Sequence, residues 1–210
     1  QGLLLKLYNN PATAAAMQAY HRTRIVVPGE DSTCDVTESL GIQKWEPKVA
    51  ANMRGMIRGS FPSWLRKTDQ ERIQNCYKEV SKKFDSYWVG EEKLDGSSMT
   101  VGIRFDEGAE PEVHVCSRNL SIKPDDIGNS FVKAAMKSNV IEAMIAYGKN
   151  IAVSGELIGP GIQGNKYKLN DHQWHIFDVY DVDSGRYLTP FEREGVLVDL
   201  QRRGFEVRKT

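Results

Sequence analysis

The feature that most constrains this chain is a succession of short apolar segments of strand length, closed by turn residues, through its second half. Tyr87 to Lys93, Ser98 to Phe105, Val113 to Arg118, Ile151 to Ile158 and Trp174 to Val182 all have this character. Asp95-Gly96, Gly108 to Pro111 and Asp183-Ser184-Gly185 supply the turns between or after them. Such runs predict strands, and the first two predict a hairpin around Asp95-Gly96. Helical spacing appears in three places, before, among and after them. Thr68 and Glu71 form a predicted capping box ahead of Ile73, Cys76, Tyr77, Val80 and Phe84. Phe131, Ala134, Ala135, Val140, Ile141, Met144 and Ile145 predict one helix ending near Gly148. Thr189 and Glu192 form a second predicted capping box, with Pro190 at the first helical position, Phe191, Val196, Leu197 and Leu200 behind it, and Gly204 as the stop. Strands dominate the middle and helices lie between them, so the expected class is α+β.

Length and composition set the limits. With 210 residues, 40% hydrophobic and 27% charged, the chain can bury a sizeable core unaided. Its net charge of zero argues against indiscriminate coating of nucleic acid, although a local basic groove remains compatible with it. The three cysteines, Cys34, Cys76 and Cys116, show no CxxC spacing, and free cysteines imply a reducing intracellular compartment such as the cytoplasm. No apolar run has the length of a membrane span. Residues 1–46 differ in character from the rest and are expected to be a linker or the end of another module. Residues 47–210 form the expected main domain, beginning with a linker-like stretch from Trp45 to Pro62.

The chemistry centres on Lys93-Leu94-Asp95-Gly96-Ser97-Ser98. A lysine amine is nucleophilic only when deprotonated, and a partly buried strand end near a cation favours that form. An aspartate two residues on can position a metal or orient the amine, and Gly96 permits a close backbone approach to a ligand. As a four-letter pattern KxDG is weak.

The surrounding sequence raises its weight. Lys93 to Ser98 resembles the first motif of the lysine nucleotidyltransferase superfamily, which contains nucleic-acid ligases and mRNA capping enzymes. Ser117-Arg118-Asn119, Ser154-Gly155-Glu156-Leu157-Ile158-Gly159 and Ile176-Phe177-Asp178-Val179 resemble three further motifs, in the family's order. The loop from Leu157 to Tyr167 and the upstream stretch from Phe61-Pro62 through Lys67 to Asn75 are similar to segments of RNA ligases. The resemblance covers roughly residues 40–205. It points in particular to the nick-sealing group with an N-terminal OB module, whose end residues 1–46 would then be.

The resemblance implies an ATP-grasp-like, ligase-type domain of antiparallel sheets flanked by helices, using ATP and magnesium or manganese to join RNA ends. Lys93 would be the nucleophile and Asp95 the catalytic, metal-holding carboxylate. Arg118 and Glu156 would hold ribose and phosphate, Phe177 would stack on adenine, and Glu91 would read its amino group. Lys166 and Arg72 would meet RNA. The same lysine chemistry serves capping guanylyltransferases and DNA ligases, and a catalytically incomplete nucleotide- or nucleic-acid-binding domain is the rival from another class; the loop after Glu156 favours RNA ligase. Two later family motifs are not evident. Glu194-Gly195-Val196 imitates one on paper but falls inside the predicted final helix, and Arg208-Lys209 makes a poor match to the other, so the domain is expected to be incomplete at its C-terminus.

Overall fold

The computed structural model describes residues 55–209, apart from Asp69 and Tyr87. The expectations for residues 1–46, including the OB module, lie outside the described residues. The element order is β1 (Ile57–Ser60), α1 (Ile73–Ser81), β2 (Ser97–Arg104), β3 (Glu112–Ser117), β4 (Leu120–Ile122), α2 (Ser130–Lys137), α3 (Val140–Tyr147), β5 (Ile151–Ile158), β6 (Gln173–Asp181), β7 (Arg186–Tyr187), α4 (Pro190–Arg202) and β8 (Arg208–Lys209). The strands join in one sheet of order β1-β4-β3-β2-β5-β6-β7, antiparallel throughout, with β8 alone running parallel beside β6. This is the α+β architecture expected from the sequence. No helix among the described residues is long and apolar enough to cross a membrane.

Period-two patterning gives the sheet two working faces. Met99, Val101 and Ile103 of β2 and Ile151, Val153 and Leu157 of β5 point to one side. There they share a core with Ala135, Val140, Ala143, Met144, Leu197 and Leu200 from α2, α3 and α4. Their neighbours in sequence point to the other side, where Leu65, Cys116, Ala152 and Tyr180 form a smaller cluster flanked by Phe61 and Trp64. That second face is covered at one end and open at the other.

Several predicted elements form at or near the expected residues. α4 carries the Thr189–Glu192 capping box and Pro190, and Gly204 follows it with φ +96°. Glu194 and Gly195 are helical, as the sequence required, and so cannot serve as a strand motif.

Four expectations are corrected. The predicted strand from Tyr87 to Lys93 does not form; residues 88–95 have no regular structure. A hairpin there would need a free edge of β2, but β3 and β5 occupy both edges. The Thr68–Glu71 box is also absent. The helix starts only at Ile73, with Arg72 at the N-cap and no side-chain cap, while Glu71 accepts a bond from the Asn75 side chain. The single helix expected over 131–145 breaks into α2 and α3 at Asn139, which takes the left-handed conformation (φ +55°). The linker-like stretch to Pro62 contains β1, paired with the short β4 that sequence reading had missed.

Two glycines test this arrangement. A Cβ on Gly155 would lie 2.3 Å from the His175 carbonyl oxygen, whereas nothing lies within 4 Å of one on Gly195. Gly155→Ala is expected to lower stability by about 1–3 kcal/mol through overpacking. Gly195→Ala, inside α4, is expected to raise it by roughly 0.5–1 kcal/mol. Urea unfolding midpoints of the two variants check both signs.

Candidate active site

The open end of the second face holds a cavity of about 730 Å³. Its floor is the sheet: Ser98 and Thr100 of β2, Glu156 of β5, and Phe177 and Asp178 of β6. Adjacent residues of a strand normally face opposite sides, yet Phe177 and Asp178 both line the cavity. The register explains this. Ser154 pairs with Asp178 but Gly155 pairs with Ile176, so Phe177 is the extra residue of a β-bulge. Before the bulge Trp174 and Ile176 face the helices; after it Val179 does, and Tyr180 joins the opposite cluster. One inserted residue thus leaves the aromatic ring on the cavity side and turns the following carboxylate to that side as well.

The walls come from connections. Arg118 sits at the tip of the β3–β4 hairpin, whose Asn119 is gripped by the Phe61 amide (2.9 Å, to the Asn119 carbonyl) and by the Lys67 ammonium (2.7 Å, to its side chain). Phe61, Lys67 and Gln70 line that side. Glu91, Glu92, Lys93 and Leu94 line another from the segment that crosses the sheet before β2, and Gln163 comes from the loop after β5. That loop is tightly wound. Gln163, Asn165 and Lys168 all have positive φ, a conformation costly for non-glycine residues and found mainly at functional sites. The Asn165 side chain offsets part of that cost by bonding the Leu169 backbone at both its amide (3.0 Å) and its carbonyl (2.9 Å).

Five of the residues singled out from sequence therefore converge on one space: Glu91, Lys93, Arg118, Glu156 and Phe177. Lys93 differs from expectation in being exposed and in following an irregular segment rather than a strand. Asp95 stands beside the cavity. Its carboxylate pairs with Lys166, which holds it below the usual carboxylate range, and its amide donates to the Tyr167 hydroxyl (2.8 Å). Lys166, expected on nucleic acid, thus sits on the carboxylate expected to hold a metal. Arg72 is exposed at the N-cap of α1 and does not line the cavity.

Sequence reasoning gave no role to Lys67, Asp178 or Tyr167, although all three fall in the segments that carry the resemblance, and it did not single out Arg193. Asp178 was masked by strand alternation, because only the bulge turns it to the cavity. Arg193, on α4, pairs with Glu91 and also donates to the Phe177 carbonyl. No local pattern could report that contact, since it joins residues far apart in the chain.

Burial acts on two of the cavity's carboxyls, Glu156 and Asp178. Burial pushes Glu156 above the ordinary carboxylate range, opposed by the Gly96 amide (2.9 Å) and by the charge of Lys93. Burial also pushes Asp178 up, with Glu91 adding to it and Arg193 and the Gln70 side chain opposing. A carboxyl whose folded pKa is raised holds its proton more tightly in the folded state. The resulting destabilisation is absent below the ordinary carboxylate range, grows as pH rises through it, and is complete above the raised pKa. Glu156→Gln keeps an acceptor for Gly96 and removes that charge. It is expected to raise the melting temperature at pH 7 more than at pH 4, and an equal or larger gain at pH 4 would contradict the assignment.

Comparison with known proteins agrees with the motif reading. The profile of the family described as RNA ligase matches residues 86–209. Curated proteins gave no match. Among solved structures, an RNA ligase variant of Naegleria gruberi with AMP and Mn is 41% identical, at a TM-score of 0.68 over 84% of this chain and 51% of that one. The same organism's ligase with pyrophosphate is 40% identical, at a TM-score of 0.65 over 84% and 51%. A further variant with ATP and Mn is 38% identical, at a TM-score of 0.68 over 88% and 53%. The chain spans about half the length of these ligases. With a family profile matched over residues 86–209 and such identity over most of its length, the chain belongs to the RNA ligase family of the lysine nucleotidyltransferase superfamily.

Proposed function

We propose that this chain is the nucleotide-binding, nucleophile-bearing part of an ATP-dependent RNA ligase, with residues 47–210 as its nucleotidyltransferase domain. The observation that carries this reading is the convergence of Lys93, Arg118, Glu156 and Phe177, from four separate stretches of sequence, on one cavity of about 730 Å³. That volume lies within the usual range of roughly 300–1,000 Å³ for small-molecule sites, and the one ring, two cations and one carboxyl that these four residues bring to it suit a nucleotide. The ATP, AMP and pyrophosphate carried by the Naegleria ligases support the same reading.

In this proposal the deprotonated Lys93 amine attacks the α-phosphorus of ATP. A P–N bond forms, the bond to the β-phosphate oxygen breaks, and pyrophosphate leaves. The AMP on Lys93 passes to the 5′-phosphate of an RNA strand, and a 3′-hydroxyl attacks that activated end, displacing AMP. All three steps are phosphoryl transfers, in which positioning and charge neutralisation dominate. Phe177 stacks on the base, Glu91 faces its amino group, Glu156 accepts from the ribose, and Arg118 meets ribose and phosphate. Among the described residues no group of three or more His, Cys, Asp or Glu side chains is placed to hold a metal. A magnesium or manganese ion would rest on phosphate and water oxygens with Asp95 as its protein ligand, which suits an ion that keeps much of its hydration. When bound it would neutralise phosphate charge. The exposed Lys166 and Arg72 are the proposed RNA contacts, acting mainly on backbone phosphates.

Intact mass spectrometry of the full-length protein after incubation with ATP and magnesium tests the first step. The protein is expected to gain one AMP, and Lys93→Ala to gain none while keeping its fold. An adduct on another residue would sink the assignment. GTP in place of ATP as the better donor would move the protein to the capping enzymes, and preference for a DNA over an RNA 3′-hydroxyl nick would make it a DNA ligase. Phe177→Ala is expected to raise the ATP concentration for half-maximal adduct more than it lowers stability. A fully buried phenylalanine loses about 3–5 kcal/mol on truncation, but Phe177 is only half-buried. A large fall in melting temperature with unchanged ATP dependence would make it a packing residue instead.

A further inference from the structure

Lys93 reaches the cavity on a segment that has no strand partner, so side chains from elsewhere must set its position. Four contacts bracket the lysine. The Asp95 amide donates to the Tyr167 hydroxyl, the Asp95 carboxylate pairs with Lys166, the Gly96 amide donates to Glu156, and Glu91 pairs with Arg193. The first three act after the lysine. Before it, Trp88 Nε1 donates to the nearby Lys83 carbonyl (3.0 Å) and Arg193 supplies the long-range tether, its guanidinium donating through the other terminal nitrogen to the Phe177 carbonyl.

The base of Arg193 is itself fixed. It lies in the first turns of α4, where the Thr189 amide donates to Glu192 (2.9 Å), the Arg193 amide donates to the Thr189 carbonyl (2.8 Å), and Arg186 pairs with Glu192 (2.7 Å). Its side chain is only 16% exposed. Its charge also opposes the rise in the Asp178 pKa that burial causes.

We propose that Arg193 is a positioning residue of the nucleotide site, tying the wall that bears Lys93 to the part of the floor that bears Phe177 and so fixing the distance between nucleophile and base. The inference rests on the ligase reading and deepens it. A planar guanidinium suits the task because it donates in two directions from a rigid fork, which an ammonium cannot reproduce. Arg193 does not line the cavity; it acts through Glu91 and through the backbone of the bulge.

The test is the ATP dependence of AMP adduct formation by the full-length protein, with unfolding midpoints measured alongside. Arg193→Met is expected to raise the ATP concentration for half-maximal adduct by about tenfold or more, the size associated with losing hydrogen bonds to a charged group. The rate at saturating ATP should change less. Arg193→Lys keeps the charge but not the fork, and is expected to recover only part of the loss. Should Arg193→Met fail to fold, the lysine variant carries the test alone. In a Glu91→Ala background, Arg193→Met should add less than it does in the parent, because one of its two targets is gone. An unchanged ATP dependence in a folded Arg193→Met protein, full recovery by lysine, or strict additivity with Glu91→Ala would overturn the inference while leaving the ligase reading intact. Absence of any adduct in the parent protein would overturn the ligase reading and this inference together.

Discussion

β2 is hydrogen-bonded along both edges, to β3 and to β5, and the rest of the site follows from that. A chain entering β2 cannot pair with it and must approach across the face of the sheet. Its backbone groups then need partners other than a ladder. The Gly96 amide finds Glu156 and the Asp95 amide finds Tyr167. The Gly96 position admits no larger residue, since a Cβ there would lie 2.3 Å from the Leu157 carbonyl oxygen. The KxDG pattern is therefore a crossing rather than a hairpin turn: the glycine lets the chain lie against β5, and the lysine three residues earlier is carried out over the open floor.

That floor conflicts with the demands of stability. One face of β2 and β5 is filled with Met99, Val101, Ile103, Val153 and Leu157. The other carries hydroxyls and carboxyls. Thr100 and Ser154 satisfy each other at 2.9 Å, so their burial costs little. Glu156 and Asp178 are not so well compensated, as the direction of both pKa shifts shows. A wound loop with three positive-φ non-glycine residues adds conformational cost beside them. Strain and unbalanced charge gather at the cavity, while the helix-covered face of the same strands is ordinary core.

How much of this was legible depends on whether the signal is local. β2, β3, β5 and β6 follow period-two patterns, and α4 has a complete capping box, so all five were readable to within a residue or two. β1 and β4 are three or four residues long and stabilised by pairing with each other, which no single segment announces. Asn139 interrupts a continuous helical pattern because it adopts a left-handed turn that asparagine tolerates, something periodicity does not report. Lys93, Arg118, Glu156 and Phe177, which line the cavity, were picked out because motif order supplied what spacing alone could not. Asp178 and Arg193 were not, since one depends on a bulge and the other on a tertiary contact.

The two ion pairs on the crossing segment are unlike in kind, and their exposure decides how each behaves. Lys166 and Asp95 remain 61% and 54% exposed, so water and salt compete freely for both and the pair can exchange partners at little cost. Arg193 and Glu91 are 16% and 33% exposed, and the guanidinium has a second acceptor in the Phe177 carbonyl. In that lower dielectric the pair is less screened, and breaking it strands a charge that solvent reaches poorly. Of the two ion pairs the firmer one thus lies before Lys93, while after it the Asp95 and Gly96 amides hold the chain instead. Lys93 is thereby kept at a distance from the aromatic ring of the floor, while the Asp95 carboxylate beyond it stays free to give up its lysine for another cation.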